Sequence, residues 1–184
     1  PGSGKSTFVA YLALSAARAI GNDDPQLALE RLGLRKMGSG PLSQTRSRPV
    51  NKENEEPPGV EDVPLPVLLP LREVGRYLRT LDDNALLGPQ PHHLLNYLRS
   101  YYSGWNLDLP DDFFDYHLDA GRCLILLDGL DEVADYTDRV LVREQVEAFV
   151  QRYGGNSHQR PSSSHQQPQN HFVVTCRVRG YEEQ

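Results

Sequence analysis

The chain has 184 residues, of which 38% are hydrophobic and 24% charged, a composition typical of a soluble globular domain. Its formal net charge of -6 gives no general attraction to nucleic acids or anionic membranes. No apolar run approaches the roughly 20 residues needed to span a bilayer, so we expect no membrane segment. The two cysteines, Cys123 and Cys176, lie in apolar stretches, which favours free thiols in a reducing compartment, the cytoplasm.

The first residues of the chain, PGSGKST, match the end of a phosphate-binding pattern, G-x-x-x-x-G-K-[ST]. Gly4, Lys5 and Ser6 fill its last three positions and Pro1 its third, so its first glycine would lie upstream. The backbone N–H groups of such a loop form a concavity for anions, and the following helix adds about half a positive charge. Lys5 would share the phosphate charge, and the Ser6 hydroxyl offers Mg²⁺ an oxygen ligand. Because the chain also lacks an initiator methionine, we expect a segment of a longer protein.

Two helices and a polar stretch are predicted before the first strand. Residues 6–19 form an alanine-rich helix, and residues 25–34 a second, shorter one. One apolar face of the first helix carries Phe8, Leu12, Ala16 and Ile20. Residues 35–62 are rich in Pro, Ser and charge, which predicts a mobile loop. The apolar run VPLPVLLPL follows, and its prolines favour a strand near the edge of a sheet because proline has no N–H to donate.

The second half of the chain alternates helices with strands. Further helices are predicted over residues 72–81, 91–102, 110–120 and 138–153. The apolar face of the last of these carries Val142, Val146, Phe149 and Val150. Residues 123–127 are continuously apolar and too short for a helix, which predicts a parallel strand buried on both faces. A second polar connection over residues 154–170 precedes a strand over residues 172–175. This order predicts an α/β fold with a parallel sheet.

Aromatic and histidine residues outside these motifs are interpreted as structural. We expect Trp105 and the tyrosines around it to pack in the core or between helices. The six histidines are scattered and suggest no metal-binding set, so we interpret them as structural or solvated.

Acidic residues cluster where the central apolar strand ends. Asp128 follows it directly, at the edge where open parallel sheets bind ligands, and would hold Mg²⁺ through a water. Asp131 and Glu132 come next, and either could polarise the water that attacks a γ-phosphate. Thr175 and Arg177, at the tip of the last strand, could reach that phosphate. Taken alone, the loop could be a turn and helix cap, and Arg177 a solvated surface charge.

With PGSGKST, LILLDGLDEV and HFVVTCRVRGY in this order, the chain resembles the NACHT domain, a STAND-class signalling branch of the P-loop NTPases. The specific sign is the acid spacing DGLDE, with a small residue after the first Asp. PVLLPLREV is similar to the second strand of that family and TCRVRGY to its sensor segment. The resemblance spans residues 1–184, apart from the two polar insertions at about 35–62 and 154–170.

The resemblance implies a P-loop NTPase three-layer sandwich with strand order 5-1-4-3-2, its first strand absent from this segment. It implies Asp128 as the Mg²⁺ residue of the Walker B motif, Asp131 and Glu132 for hydrolysis, and Arg177 as γ-phosphate sensor. The implied Walker A residues for phosphate and metal are Pro1, Gly2, Ser3, Gly4, Lys5, Ser6 and Thr7. Without its first strand, we expect the segment to expose an apolar edge and to fold poorly. The implied order also separates the two cysteines too widely for a disulfide.

The family resemblance implies a switch that binds ATP with Mg²⁺ and hydrolyses it slowly. Flanking effector and sensor domains, self-association in the active state, and a role in innate immunity, cell death or antiphage defence are implied likewise. Two alternatives stay open. One is a conventional AAA-type oligomeric ATPase, with Arg179 as a weak arginine-finger candidate. The other is a nucleotide-binding scaffold without useful hydrolysis. A GTPase is disfavoured, because NKEN at residues 51–54 lacks the aspartate of the guanine-binding pattern.

Overall fold

The computed structural model describes residues 4–32, 59–81, 88–155 and 169–177. Within these ranges the helices are α1 (Lys5–Gly21), α2 (Pro25–Leu32), α3 (Leu71–Leu78), α4 (Pro91–Ser103), α5 (Phe113–Asp119) and α6 (Tyr136–Tyr153). The strands are β1 (Leu65–Pro70), β2 (Cys123–Asp128) and β3 (His171–Val174). Short 3₁₀ helices cover Val60–Asp62 and Leu130–Glu132. None of the described helices is long and apolar enough to cross a membrane.

The described strands form one parallel sheet in the order β1-β2-β3. The five apolar residues of β2 are all buried, as predicted for a strand covered on both faces. In β1, Pro66 and Pro70 occupy a strand that pairs only with β2 in the described part of the chain, which confirms the predicted edge position. The predicted α/β class with a parallel sheet is therefore confirmed.

Helices cover both faces of this sheet, because side chains alternate along each strand. Leu124 and Leu126 of β2 pack against Val9 of α1 on one face. Ile125 and Leu127 belong to the larger core on the other face, which includes residues of α3, α4, α5 and α6. The arrangement is a helix–sheet–helix sandwich, with the amino end of α1 at the carboxyl end of β2, where Asp128 lies.

Two predictions about apolar residues are wrong. In α1, three of the four residues of the predicted apolar face pack as expected: Ala16 is fully buried, and Leu12 and Ile20 pack half-buried against core clusters. Phe8 does not, since it is 55% exposed while its neighbour Val9 is fully buried. Val9 rather than Phe8 packs against Leu124 and Leu126 of β2. Trp105 is 66% exposed, in a turn after α4, although Tyr101 and Tyr102 do pack against the core.

Both cysteines are free thiols, as predicted. Cys123 begins β2 and is fully buried, and this burial raises the pKa of its thiol to about 12. The two polar insertions fall largely outside the described residues, and so does Arg179.

A buried asparagine that the sequence analysis did not single out joins three elements. Asn170 is 6% exposed and lies just before β3. Its Oδ1 accepts a hydrogen bond of 2.9 Å from the backbone N–H of Cys123. Its Nδ2 donates to the backbone carbonyls of Leu118, at 2.7 Å, and Tyr153, at 2.9 Å. One side chain thus satisfies the start of β2 and the last turns of α5 and α6.

We expect Asn170→Asp to destabilise the protein by about 3 kcal/mol, because both donors are lost and a carboxylate faces two buried carbonyl oxygens. Urea unfolding at neutral pH measures the change. The matched control is Asn96→Asp on the exposed side of α4, which should change the free energy of unfolding by no more than about 0.5 kcal/mol. Equal effects of the two substitutions would contradict the role assigned to Asn170.

Candidate functional site

The amino end of α1 presents backbone N–H groups that have no partner within the helix. Gly4 adopts a left-handed conformation with φ 70°, and α1 begins at the next residue, Lys5. The first hydrogen bond of the helix runs from the Phe8 N–H to the Gly4 carbonyl at 2.8 Å. Amides before Phe8 therefore have no carbonyl within the helix to bond, and they carry the positive end of the helix dipole. Pro1, Gly2 and Ser3 lie outside the described residues.

A cavity of about 170 Å³ opens at this helix end, beside the carboxyl ends of β2 and β3. It is lined by Gly4, Lys5, Ser6, Thr7, Asp128, Gly129, Asp131, Glu132 and Arg177. Apart from Thr175, every predicted site residue in the described part of the chain lies in this lining. Their chemical roles stay predictions, but their convergence on one cavity is observed.

Thr175 contacts Asp128 rather than the cavity. Its hydroxyl donates to Asp128 Oδ1 at 2.5 Å and accepts from the backbone N–H of Gly129 at 2.8 Å. The side chain is buried, with 7% exposure. The prediction that Thr175 reaches a phosphate is therefore wrong, because its hydroxyl is hydrogen-bonded to Asp128 and Gly129 at the end of β2. The only sequence signal for this contact was the position of a hydroxyl residue at the tip of the neighbouring strand.

Asp131 is held by Arg177 at both carboxylate oxygens. The backbone N–H of Arg177 donates to Oδ1 at 3.0 Å, and Arg177 Nε lies 2.9 Å from Oδ2. The Asp131 side chain is only 10% exposed, whereas that of Arg177 is 60% exposed. The Arg177 side chain therefore bonds a nearly buried acid and is itself exposed in the cavity lining. The Asp131 carboxylate is held in place by these two contacts.

Glu132 differs from the two aspartates, because its carboxylate has no hydrogen bond or ion pair with any residue in the described ranges. The side chain is exposed and folds over Gly129. A Cβ added at Gly129 would lie 3.0 Å from Glu132 Cδ. Gly129 also has φ +77°, which side-chain-bearing residues rarely adopt. A glycine is thus required at position 129 for two reasons: its backbone has a positive φ, and a Cβ atom would crowd the Glu132 side chain.

Cys176 lies between Thr175 and Arg177 but is not suited to chemistry. Burial raises the pKa of its thiol, and the negative charge of Asp131 raises it further. The thiol therefore stays protonated at neutral pH, and a protonated thiol is neither a nucleophile nor a metal ligand.

The charges of the lining bear on which ligand the cavity can accept. Asp128, Asp131 and Glu132 oppose Lys5 and Arg177, which leaves a net charge of -1 before any ligand enters. This balance favours a phosphate group that is accompanied by a cation. The Ser6 hydroxyl and the Asp128 carboxylate are oxygen donors of the kind that Mg²⁺ takes, with its other ligands drawn from water and phosphate. The residues present therefore fit a magnesium-bound phosphate.

Among the described residues, no cluster of three or more His, Cys, Asp or Glu side chains is arranged to hold a metal ion. A site that supplies only one or two protein ligands to Mg²⁺ does not require such a cluster.

Comparison of the chain with protein-family models, with curated proteins and with solved structures finds no match. The site must therefore be interpreted from its own residues.

We expect Gly129→Ala to destabilise the protein by more than the roughly 1–2 kcal/mol that left-handed backbone costs, because the new methyl also meets Glu132. Adding Glu132→Ala should recover the excess, which a double-mutant cycle of urea unfolding measures. Gly4→Ala is the matched control, since it has φ +70° and open space around the position. A zero coupling between positions 129 and 132 would contradict this contact.

Proposed function

We propose that this chain is a nucleotide-binding module of the P-loop NTPase kind, and that it acts as the ATP-dependent switch of a NACHT-type signalling protein. One observation carries the proposal. The sequence assigned phosphate, metal and hydrolytic roles to residues in three separated segments, and the described members of that set, apart from Thr175, line one cavity. A turn and helix cap without a ligand gives no reason for three carboxylates and two cations to converge there.

The amino end of α1 would bind the phosphate groups. Lys5 supplies a full positive charge, and the amides of the first helical turn supply partial ones. The cavity is smaller than the roughly 300–1,000 Å³ that encloses a whole drug-sized ligand, so it suits phosphate groups with the rest of the nucleotide outside. Mg²⁺, when bound, would neutralise phosphate charge, and Ser6 and Asp128 are the residues that would hold it.

The two hydrolytic candidates take different roles in this proposal. Asp131 has both oxygens engaged by Arg177, and its side chain is nearly buried. Glu132 is exposed in the cavity lining and has no polar partner in the described part of the chain. Only Glu132 therefore offers both oxygens to a water near the phosphate. We assign the polarisation of water to Glu132 and the anchoring of Arg177 to Asp131.

Arg177 keeps a role toward phosphate in this arrangement. Its Nε is bound to Asp131, but no residue in the described ranges bonds its two terminal nitrogens. A guanidinium can donate from several nitrogens at once, so it can hold Asp131 and an anion together. The strand tip that carries Arg177 would then respond to the phosphate.

A switch needs a free-energy difference between its states, and nucleotide binding can supply it. A ligand present at about a thousand times its dissociation constant stabilises the state that binds it by roughly 4 kcal/mol. That amount is comparable with the total stability of many domains, about 5–15 kcal/mol. The family resemblance extends the proposal to flanking effector and sensor domains and to self-association in the ATP-bound state.

A nucleotide-binding scaffold without hydrolysis is the second candidate. The observation that favours it is the anchoring of Asp131, which removes one of the two acids that could act on water. The two candidates differ in turnover alone.

Lys5→Ala in the full-length protein should weaken the binding of ATP with Mg²⁺ by about tenfold to a hundredfold, the effect of losing one charged contact. Isothermal titration calorimetry measures the dissociation constant. Arg18→Ala removes an exposed positive charge from the far end of the same helix and should leave binding unchanged. ATP binding that is absent in the folded wild type, or equal in the two variants, would refute the proposed phosphate site.

Glu132→Gln should lower the ATP hydrolysis rate by about a hundredfold or more while ATP still binds, because an amide cannot take a proton from water. Asp131→Asn should lower it less, since its effect passes through Arg177. Single-turnover hydrolysis with radiolabelled ATP separates the chemical step from product release. If Asp131→Asn alone abolishes turnover, the two assignments are reversed. A wild type that binds ATP without hydrolysing it supports the scaffold.

A further inference from the structure

The hydroxyl of Thr175 has a fixed direction, which the chemistry of its partners decides. The backbone N–H of Gly129 can only donate, so the Thr175 oxygen must accept that hydrogen bond, 2.8 Å long. Its single proton is then available for Asp128 Oδ1, 2.5 Å away. The carboxylate therefore receives a donor on Oδ1, and its Oδ2 has no polar partner within the described residues.

The backbone of Thr175 is held as firmly as its side chain. Its N–H donates to the Leu127 carbonyl at 2.9 Å, and its own carbonyl accepts from the Leu130 N–H at 3.0 Å. Both bonds continue the pairing of β2 with β3 beyond Val174, the last residue of β3, and the second also lies beyond Asp128, the last residue of β2. Thr175 thus bridges the segment before Asp128 and the segment after it, and its backbone cannot move without breaking the end of the sheet.

We propose that Thr175 is a positioning residue for the cation site, fixing Asp128 so that Oδ2 faces the metal that accompanies the nucleotide. The inference rests on the proposed nucleotide function and adds a residue that does not line the cavity. A carboxylate free to rotate would offer either oxygen in several orientations. Second-sphere hydrogen bonds of this kind orient a ligand and raise metal affinity.

The choice of threonine follows from the same contacts. Valine has nearly the same shape but no hydroxyl, so it would leave a buried N–H of Gly129 without an acceptor and Asp128 Oδ1 without a donor. Serine keeps the hydroxyl and loses only the methyl group that restricts χ1. The pair Thr175→Val and Thr175→Ser therefore separates hydrogen bonding from packing.

The first test is a magnesium titration of the full-length protein with a fluorescent ATP analogue as the probe. Thr175→Val should raise the Mg²⁺ concentration for half-maximal binding by about tenfold to a hundredfold. Excess Mg²⁺ should restore its binding, and Thr175→Ser should resemble the wild type. Thr80→Val, at an exposed threonine whose hydroxyl donates to the Tyr77 carbonyl, is the matched control and should have no effect.

Outcomes of this titration separate the inference from the proposed function. If the wild type does not bind the analogue at any Mg²⁺ concentration, the nucleotide function fails. If it binds and Thr175→Val needs no more Mg²⁺ than the wild type, the positioning role is refuted. Weaker binding of Thr175→Val that excess Mg²⁺ does not restore also refutes it, since that is the result of general damage.

The second test needs no nucleotide. Hydrogen exchange of the Gly129 amide, followed by NMR, should accelerate in Thr175→Val and stay slow in Thr175→Ser, because only the valine variant lacks the acceptor. The amides of Ile125 and Leu126, inside β2, report global unfolding and should stay protected in both variants. A Gly129 amide that exchanges equally slowly in wild type and Thr175→Val would overturn the assigned hydrogen bond.

Discussion

The pairing of β2 with both of its neighbours is the constraint on which the rest of the structure depends. All five apolar residues of β2 are buried, and it bonds β1 on one edge and β3 on the other. Because all three strands run in parallel, their carboxyl ends meet at one edge of the sheet. Asp128 is the residue at which the buried strand reaches that edge. The packing of α1 against β2 then brings the amino end of a helix to the same place.

Three carboxylates in one small lining are tolerated because each has a different environment. Asp128 accepts the Thr175 hydroxyl, Asp131 is anchored by Arg177, and Glu132 is exposed to solvent. Like charges repel unless donors or cations face them, so the tip of β3 stabilises the acids that follow β2. Thr175 and Arg177 lie two residues apart, directly after β3, and each bonds a different acid. One short segment therefore contacts two acids.

The sequence predicted the elements of the fold better than their contacts. The apolar run of β2 and the prolines of β1 were sufficient signals, because burial on both faces and the missing N–H of proline act locally. Phe8 was misjudged because Phe8 and its neighbour Val9 are both apolar, and only the contact with β2 decides which of them is buried. Trp105 was misjudged because size favours burial on average, whereas a turn can leave a large ring exposed.

Residues of the candidate site were predictable where a motif names them, and not where a partner lies far along the chain. Lys5, Asp128 and Glu132 follow from local patterns. Thr175 and Asn170 act through hydrogen bonds to residues about fifty positions away, and polar residues at such positions have no distinctive sequence pattern. Gly129 lies between these two cases. The family pattern has a small residue at this position, and the structure explains the need for it by the positive φ of Gly129 and by the Glu132 side chain packed over it.

Contacts at the tip of β3 could couple ligand binding to a change of conformation in the proposed switch. In the described residues β3 is four residues long and pairs only with β2, so few backbone bonds hold it. Its continuation contacts both Asp128 and Asp131, through one hydroxyl and one guanidinium. A phosphate bound by Arg177 and a cation bound by Asp128 would both act on the same short segment. Each such hydrogen bond is worth on the order of 1 kcal/mol, whereas a tightly bound nucleotide supplies roughly 4 kcal/mol. The free energy of nucleotide binding therefore exceeds that of any single hydrogen bond of this segment. In the proposed switch, nucleotide binding would change the conformation by shifting β3 relative to β2.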